Sequence, residues 1–176
     1  MKGICLISGG PDSTLALIKC LELGSVVPMY VDYGHWAHLG EIKAVRDICQ
    51  YLGTQPVELS VDLGKKVGSA WGRTLILVGV AATWAYVNGD DFDYVAMGIT
   101  ASDVGPDCLP KSILSPISSA LEASTKGKMK FLAPIRDYTI PMVGKELSDI
   151  IPFDLMYNCY WYPACGTRSK DDKYRC

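Results

Sequence analysis

Short apolar runs alternate with helix-patterned segments along the whole 176-residue chain. Segments 3–7, 26–33, 56–61, 94–97 and 130–135 read as strands; the first is an apolar run ending at the Gly9-Gly10 pair and the fourth ends at Gly98. Between and after them, segments 13–23, 39–52, 74–87, 112–124 and 142–150 read as helices. In the first, Leu17, Cys20 and Leu21 share a face and Gly24 follows. In the second, Ile42, Val45, Ile48 and Leu52 recur at helical spacing before Gly53. Alternating strands and helices predict an α/β fold, a mostly parallel sheet of about five strands with helices on both faces. Pro28 places the start of its strand at a point where a missing N–H does no harm. Residues 1–152 are expected to form this domain, and the aromatic, cysteine-rich stretch 153–176 a small C-terminal module.

Composition removes several classes. With 49% apolar and 20% charged residues the chain is not disordered or fibrous. A net charge of −2 supplies no basic field for nucleic acid or an anionic membrane. The uncharged stretch 74–87 is shorter than the ~20 apolar residues of a spanning helix and is expected to be a buried core helix. The apolar start, 3–7, is too short for a signal peptide, so a soluble cytoplasmic protein is expected. Of seven cysteines, Cys5, Cys20, Cys49 and Cys108 are scattered, while Cys159, Cys165 and Cys176 crowd the last 18 residues. That distribution suits reduced thiols with a local metal site better than a stapled secreted scaffold.

The first strand runs into Ser8-Gly9-Gly10-Pro11-Asp12-Ser13-Thr14 and then a helix. Glycines there let the backbone approach an anion, and the amides of the loop and helix start point at it. Ser8, Ser13 and Thr14 add hydroxyls. Asp12 would repel bare phosphate but suits a divalent cation between carboxylate and phosphate. A glycine turn with an ordinary helix cap is the competing reading.

The Ser-Gly-Gly-x-Asp-Ser pattern resembles the pyrophosphate loop of the N-type ATP pyrophosphatases, which have a Rossmann-like fold of the adenine nucleotide alpha hydrolase type. It lacks the Gly-Lys-Ser ending of a Walker A loop. Further motifs follow in order: Asp32-Tyr33-Gly34-His35 with Glu41-Ile42; Gly72-Arg73; Gly98 with Asp103, Pro106-Asp107-Cys108; and Cys159-Tyr160 with Cys165-Gly166. Together they resemble the 7-cyano-7-deazaguanine synthase family. Departures are Trp71 and Thr74 in place of the family's proline and asparagine, a shorter 103–106 loop, and Arg168 and Asp171 where the family has cysteines.

The resemblance implies ATP-dependent conversion of 7-carboxy-7-deazaguanine with ammonia to the nitrile, through an adenylated carboxylate. Stopping at the amide, another carboxylate or a tRNA as substrate, and a non-catalytic nucleotide-binding module remain alternatives. It implies ATP and Mg²⁺, with Zn²⁺ on Cys159, Cys165 and Cys176. The candidate nucleotide-binding residues are Ile7, Ser8, Gly9, Gly10, Asp12, Ser13, Thr14, Asp32, Tyr33 and Gly98. Asp12, Ser13 and Arg73 are candidate catalytic residues. His35, Arg73, Asp103 and Asp107 are candidates for substrate binding. A small-molecule substrate, no membrane or direct nucleic-acid partner, and a homodimer are expected.

Overall fold

The computed structural model describes residues 1–35, 37–63, 72–89, 91–103 and 111–157. In chain order the elements are β1 (Lys2–Leu6), α1 (Pro11–Leu23), β2 (Ser25–Asp32), α2 (His38–Tyr51), β3 (Val57–Ser60), α3 (Arg73–Val87), β4 (Tyr94–Met97), α4 (Lys111–Ser124), β5 (Lys130–Leu132) and α5 (Ile140–Ser148). A 3-10 turn, Phe153–Leu155, follows. The strands form one sheet in the order β3-β2-β1-β4-β5, all parallel.

Successive residues of the central strands feed opposite cores, as the period of two requires. Cys5 and Ile7 join Leu15, Ile18, Val45, Ile48, Val143 and Leu147 beneath α1, α2 and α5. Ile4 and Leu6 join Val78, Ala81, Ala85, Ile117 and Leu121 beneath α3 and α4. Both faces are therefore covered, which stabilises a parallel sheet. The Met29 carbonyl accepts from the Ile7 N–H at 2.9 Å. The ring nitrogen of Pro28 thus faces the other edge, where pairing with β3 begins only at Met29.

One expectation needs correction. Helix α3 is not buried all round: only Val78, Ala81 and Ala85 are fully covered, while Leu75, Tyr86 and Val87 are exposed. A helix lying on a sheet buries one face only, and small Gly79 and Thr83 let the outer face stay uncharged at little cost. Among the described residues, no helix is long and apolar enough to cross a membrane. Of the expected C-terminal module, only 153–157 fall within the described residues.

Candidate nucleotide-binding site

From β1 the chain goes outward through β2 to β3 on one side, and through β4 to β5 on the other. The switch point lies between β1 and β4, where open parallel sheets bind ligands beyond their carboxyl ends. Residues 8–14 occupy that place. Gly9 has φ +80°, in the left-handed region that favours glycine. Gly10 caps α1 without a side-chain hydrogen bond, and Pro11 opens the helix, where its missing N–H is harmless. Among the described residues, no hydrogen bond engages the N–H groups of Gly9, Gly10, Asp12 or Ser13. Unengaged amides at a helix start form an anion cradle.

The loop is braced from within. Ser13 Oγ and Thr14 Oγ1 both donate to the Gly10 carbonyl, at 3.0 and 2.8 Å. Ser13 Oγ also accepts from the Ser8 N–H at 3.2 Å. Thr14 is fully buried, so it shapes the loop and does not offer the free hydroxyl expected of it. Ile7 likewise supports the loop from the core, with its N–H engaged by Met29. Ser8 is the exposed hydroxyl of the set. Gly98 closes the cradle from β4: a Cβ there would lie 2.5 Å from the Asp12 carbonyl carbon and oxygen. Only glycine allows that approach.

Asp12 is half-buried at the rim, and burial, then the charge of Asp103, pushes its carboxyl up to about 6. Asp103 accepts from the Thr100 N–H at 2.6 Å and Thr100 Oγ1 at 3.1 Å, so it also caps its own turn. A divalent cation at Asp12 would offset both penalties, so the residues present fit Mg²⁺.

A second polar group surrounds the end of β2. Asp32 accepts from the Gly34 N–H at 2.8 Å and fixes the turn. Tyr33 and His35 are buried with ring centroids 5.6 Å apart. Arg73, at the start of α3, donates to Tyr33 Oη at 3.4 Å. Burial, with Arg73 and His38 nearby, lowers His35 and favours its neutral form. His35 Nδ1 accepts from the Ala37 N–H at 3.3 Å.

Sequence reasoning assigned no site role to Glu41, which lies 3.2 Å from the donating Tyr30 hydroxyl and 3.7 Å from His35 Nδ1. Burial pushes its carboxyl up to about 7. Its signal was its place in the Asp-Tyr-Gly-His…Glu-Ile motif. Beside this group, a groove of about 230 Å³ opens between Asp32, His38, Ile42 and Ser60. Asp107, Cys159, Cys165 and Cys176 lie outside the described residues. Among the described ones, no cluster of three or more His, Cys, Asp or Glu is arranged to hold a metal.

The family model described as "Queuosine biosynthesis protein QueC" matches residues 2–71. The 7-cyano-7-deazaguanine synthase of Prochlorococcus marinus (strain NATL1A) is 28% identical, with 89% of this chain and 83% of the relative covered. The one from Campylobacter concisus (strain 13826) is 25% identical, covering 94% and 88%. The one from Methanocaldococcus jannaschii is also 25% identical, covering 91% and 84%. A crystal structure described as a predicted subunit of tRNA methyltransferase from Methanocaldococcus jannaschii shares the fold, with a TM-score of 0.55. It is 16% identical and covers 86% of this chain and 76% of its own. Residues 2–71 thus match that family model, and similarity to 7-cyano-7-deazaguanine synthases, at 25–28% identity, extends over most of the chain.

Proposed function

We propose that this chain is an ATP-dependent ligase that converts 7-carboxy-7-deazaguanine and ammonia to 7-cyano-7-deazaguanine. A carboxylate is a poor electrophile, and attack by its oxygen on the α-phosphorus of ATP releases pyrophosphate and leaves AMP as the new leaving group. Ammonia displaces AMP and loses a proton, giving the amide. The amide oxygen then attacks the α-phosphorus of a second ATP, releasing pyrophosphate and a proton, and loss of AMP and a second proton leaves the nitrile. The observation that supports this reading most is the set of unengaged amides on Gly9, Gly10, Asp12 and Ser13 at the β1/β4 switch point.

The roles follow from position. Ser8, Gly9, Gly10 and Ser13 hold the departing pyrophosphate, with charge building where the amides already point. Asp12 would hold Mg²⁺, which screens the phosphates as a Lewis acid when bound. The adenosine end lies toward Asp32, Tyr33 and the groove at His38 and Ser60. Arg73 sits at a helix start, where the dipole disfavours a cation and an anionic partner relieves it. It braces the substrate carboxylate or the α-phosphate. In the same reading His35, Asp103 and Asp107 bind the substrate, and Cys159, Cys165 and Cys176 would supply zinc ligands. Assembly as a homodimer belongs to the same reading and is measured by sedimentation.

Incubation with ATP, Mg²⁺, ammonium and 7-carboxy-7-deazaguanine tests it, with mass spectrometry of the base and assay of AMP and pyrophosphate. The nitrile is expected. The amide as end product would restrict the reading to the first half, and absence of AMP would overturn it.

A further inference from the structure

After α5 the chain turns back over the site. Ile151 is buried, its N–H bonded to the Leu147 carbonyl, and Leu155, Met156 and Tyr157 pack against the core shared by α1 and α2. The strap ends on the phosphate loop itself: the Tyr157 N–H donates to the Gly9 carbonyl at 2.8 Å. The Tyr157 ring lies on Gly40 in the first turn of α2, where a Cβ would come within 2.3 Å of the ring. Gly9 is also closed in by α2, since a Cβ on it would meet the Ala44 Cβ at 2.7 Å and the Glu41 carbonyl oxygen at 3.0 Å.

A trans peptide is planar, with its C=O and N–H pointing in opposite directions. Holding the Gly9 carbonyl toward the strap therefore turns the Gly10 N–H the other way, toward the cradle. We propose that Tyr157 is a positioning residue for the phosphate loop. Its backbone N–H sets the plane of the Gly9–Gly10 peptide, and its ring, seated on Gly40, keeps that N–H in place. The proposal rests on the reading that residues 8–14 bind the phosphates of ATP.

The test compares MgATP affinity by calorimetry, well below the melting temperature, across four variants. Tyr157→Ala removes the ring and keeps the N–H. Tyr157→Pro removes both, and Met156 is already in the extended conformation (φ −93°, ψ 149°) that a following proline requires. Loss of one hydrogen bond is expected to weaken MgATP about fivefold in Tyr157→Pro relative to Tyr157→Ala. KM for ATP rises with it while KM for the carboxylate holds.

Gly40→Ala is expected to displace the ring and weaken MgATP. Gly40→Ala with Tyr157→Ala, which makes room for the methyl, returns affinity to that of Tyr157→Ala alone. A merely structural strap would lower melting temperatures and leave the affinity of folded protein unchanged, and that result overturns the proposal. If Tyr157→Pro does not fold, the Gly40 pair decides alone. Wild-type protein that fails to bind MgATP overturns the nucleotide reading, and the positioning role with it.

Discussion

Replacing Gly98 with alanine tests where the anion sits. The new Cβ would lie 2.5 Å from the Asp12 carbonyl carbon and oxygen and 2.6 Å from the Ser13 nitrogen. Carbon contacts relax at ~3.5–4.0 Å, so about 1 Å must open between the end of β4 and the first turn of α1. These are backbone atoms of a packed helix, and overfilling of this kind costs roughly 1–3 kcal/mol. For a chain of this size that is a fall of roughly 3–10 °C in Tm. The same displacement carries the Asp12 and Ser13 N–H groups from hydrogen-bond distance of a phosphate oxygen, ~2.9 Å, to nearly ~4 Å, where the bond is lost. A bond to a charged oxygen contributes about 1.5–3 kcal/mol, so MgATP should bind roughly 10- to 150-fold more weakly. Gly79→Ala is the control. It adds its methyl to open space on the outer face of α3. It should stabilise by about 0.5–1 kcal/mol through helix propensity and leave MgATP affinity unchanged. Calorimetry of melting and of MgATP binding reads both variants. A Gly98→Ala protein that melts lower but binds MgATP as tightly as wild type would refute the placement of the phosphates against Asp12 and Ser13.

Other residues give separate predictions. Asp12 in the folded chain titrates at about 6 against 3.8 ordinarily, so the ion-free fold binds its proton more tightly than the unfolded chain does. Stability should therefore rise as pH falls from 7 toward 4, and Asp12→Asn should raise Tm at pH 8 without Mg²⁺ while abolishing AMP release. After allowance for solvent screening at this half-exposed rim, the gain is about 1–2 kcal/mol. Glu41 shows the same sign, at about 7 against 4.5, so Glu41→Gln should flatten the dependence of Tm on pH between those values; an unaltered slope would contradict its burial. Arg73→Lys keeps the charge but loses the planar fork. It should cut turnover about tenfold or more with little change in Tm, and undiminished turnover would remove its bracing role. Protein purified without chelator should carry zinc, and its absence by elemental analysis would retire the ligand set Cys159, Cys165 and Cys176.

The fold was legible in outline because the central strands are short apolar runs, as a parallel sheet covered on both faces requires, while edge strand β3 alternates Val57, Glu58, Leu59 and Ser60. Edges shifted by one to three residues: β5 stops at Leu132, since Pro134 just beyond has no N–H for a ladder. Helix α5 starts at Ile140, because Pro141 fits a first turn better than it ends a loop. The exposure of α3 was not legible, because an uncharged helix looks the same to a sequence whether one face or all of it is covered. The phosphate loop could be found because its chemistry is local, a strand end, two glycines and a helix start. Gly98 against Asp12 and Tyr157 on Gly40 are contacts between distant segments, and no spacing in the sequence announces them.

In the proposed reaction, residues 8–14 hold pyrophosphate while a carboxylate takes AMP from ATP. Exchange of labelled pyrophosphate into ATP, measured with Mg²⁺ and 7-carboxy-7-deazaguanine but no ammonium, tests it most directly. Carboxylate-dependent exchange is predicted, lost in Asp12→Asn and reduced in Gly98→Ala. No exchange, or release of ADP and phosphate in its place, would contradict it.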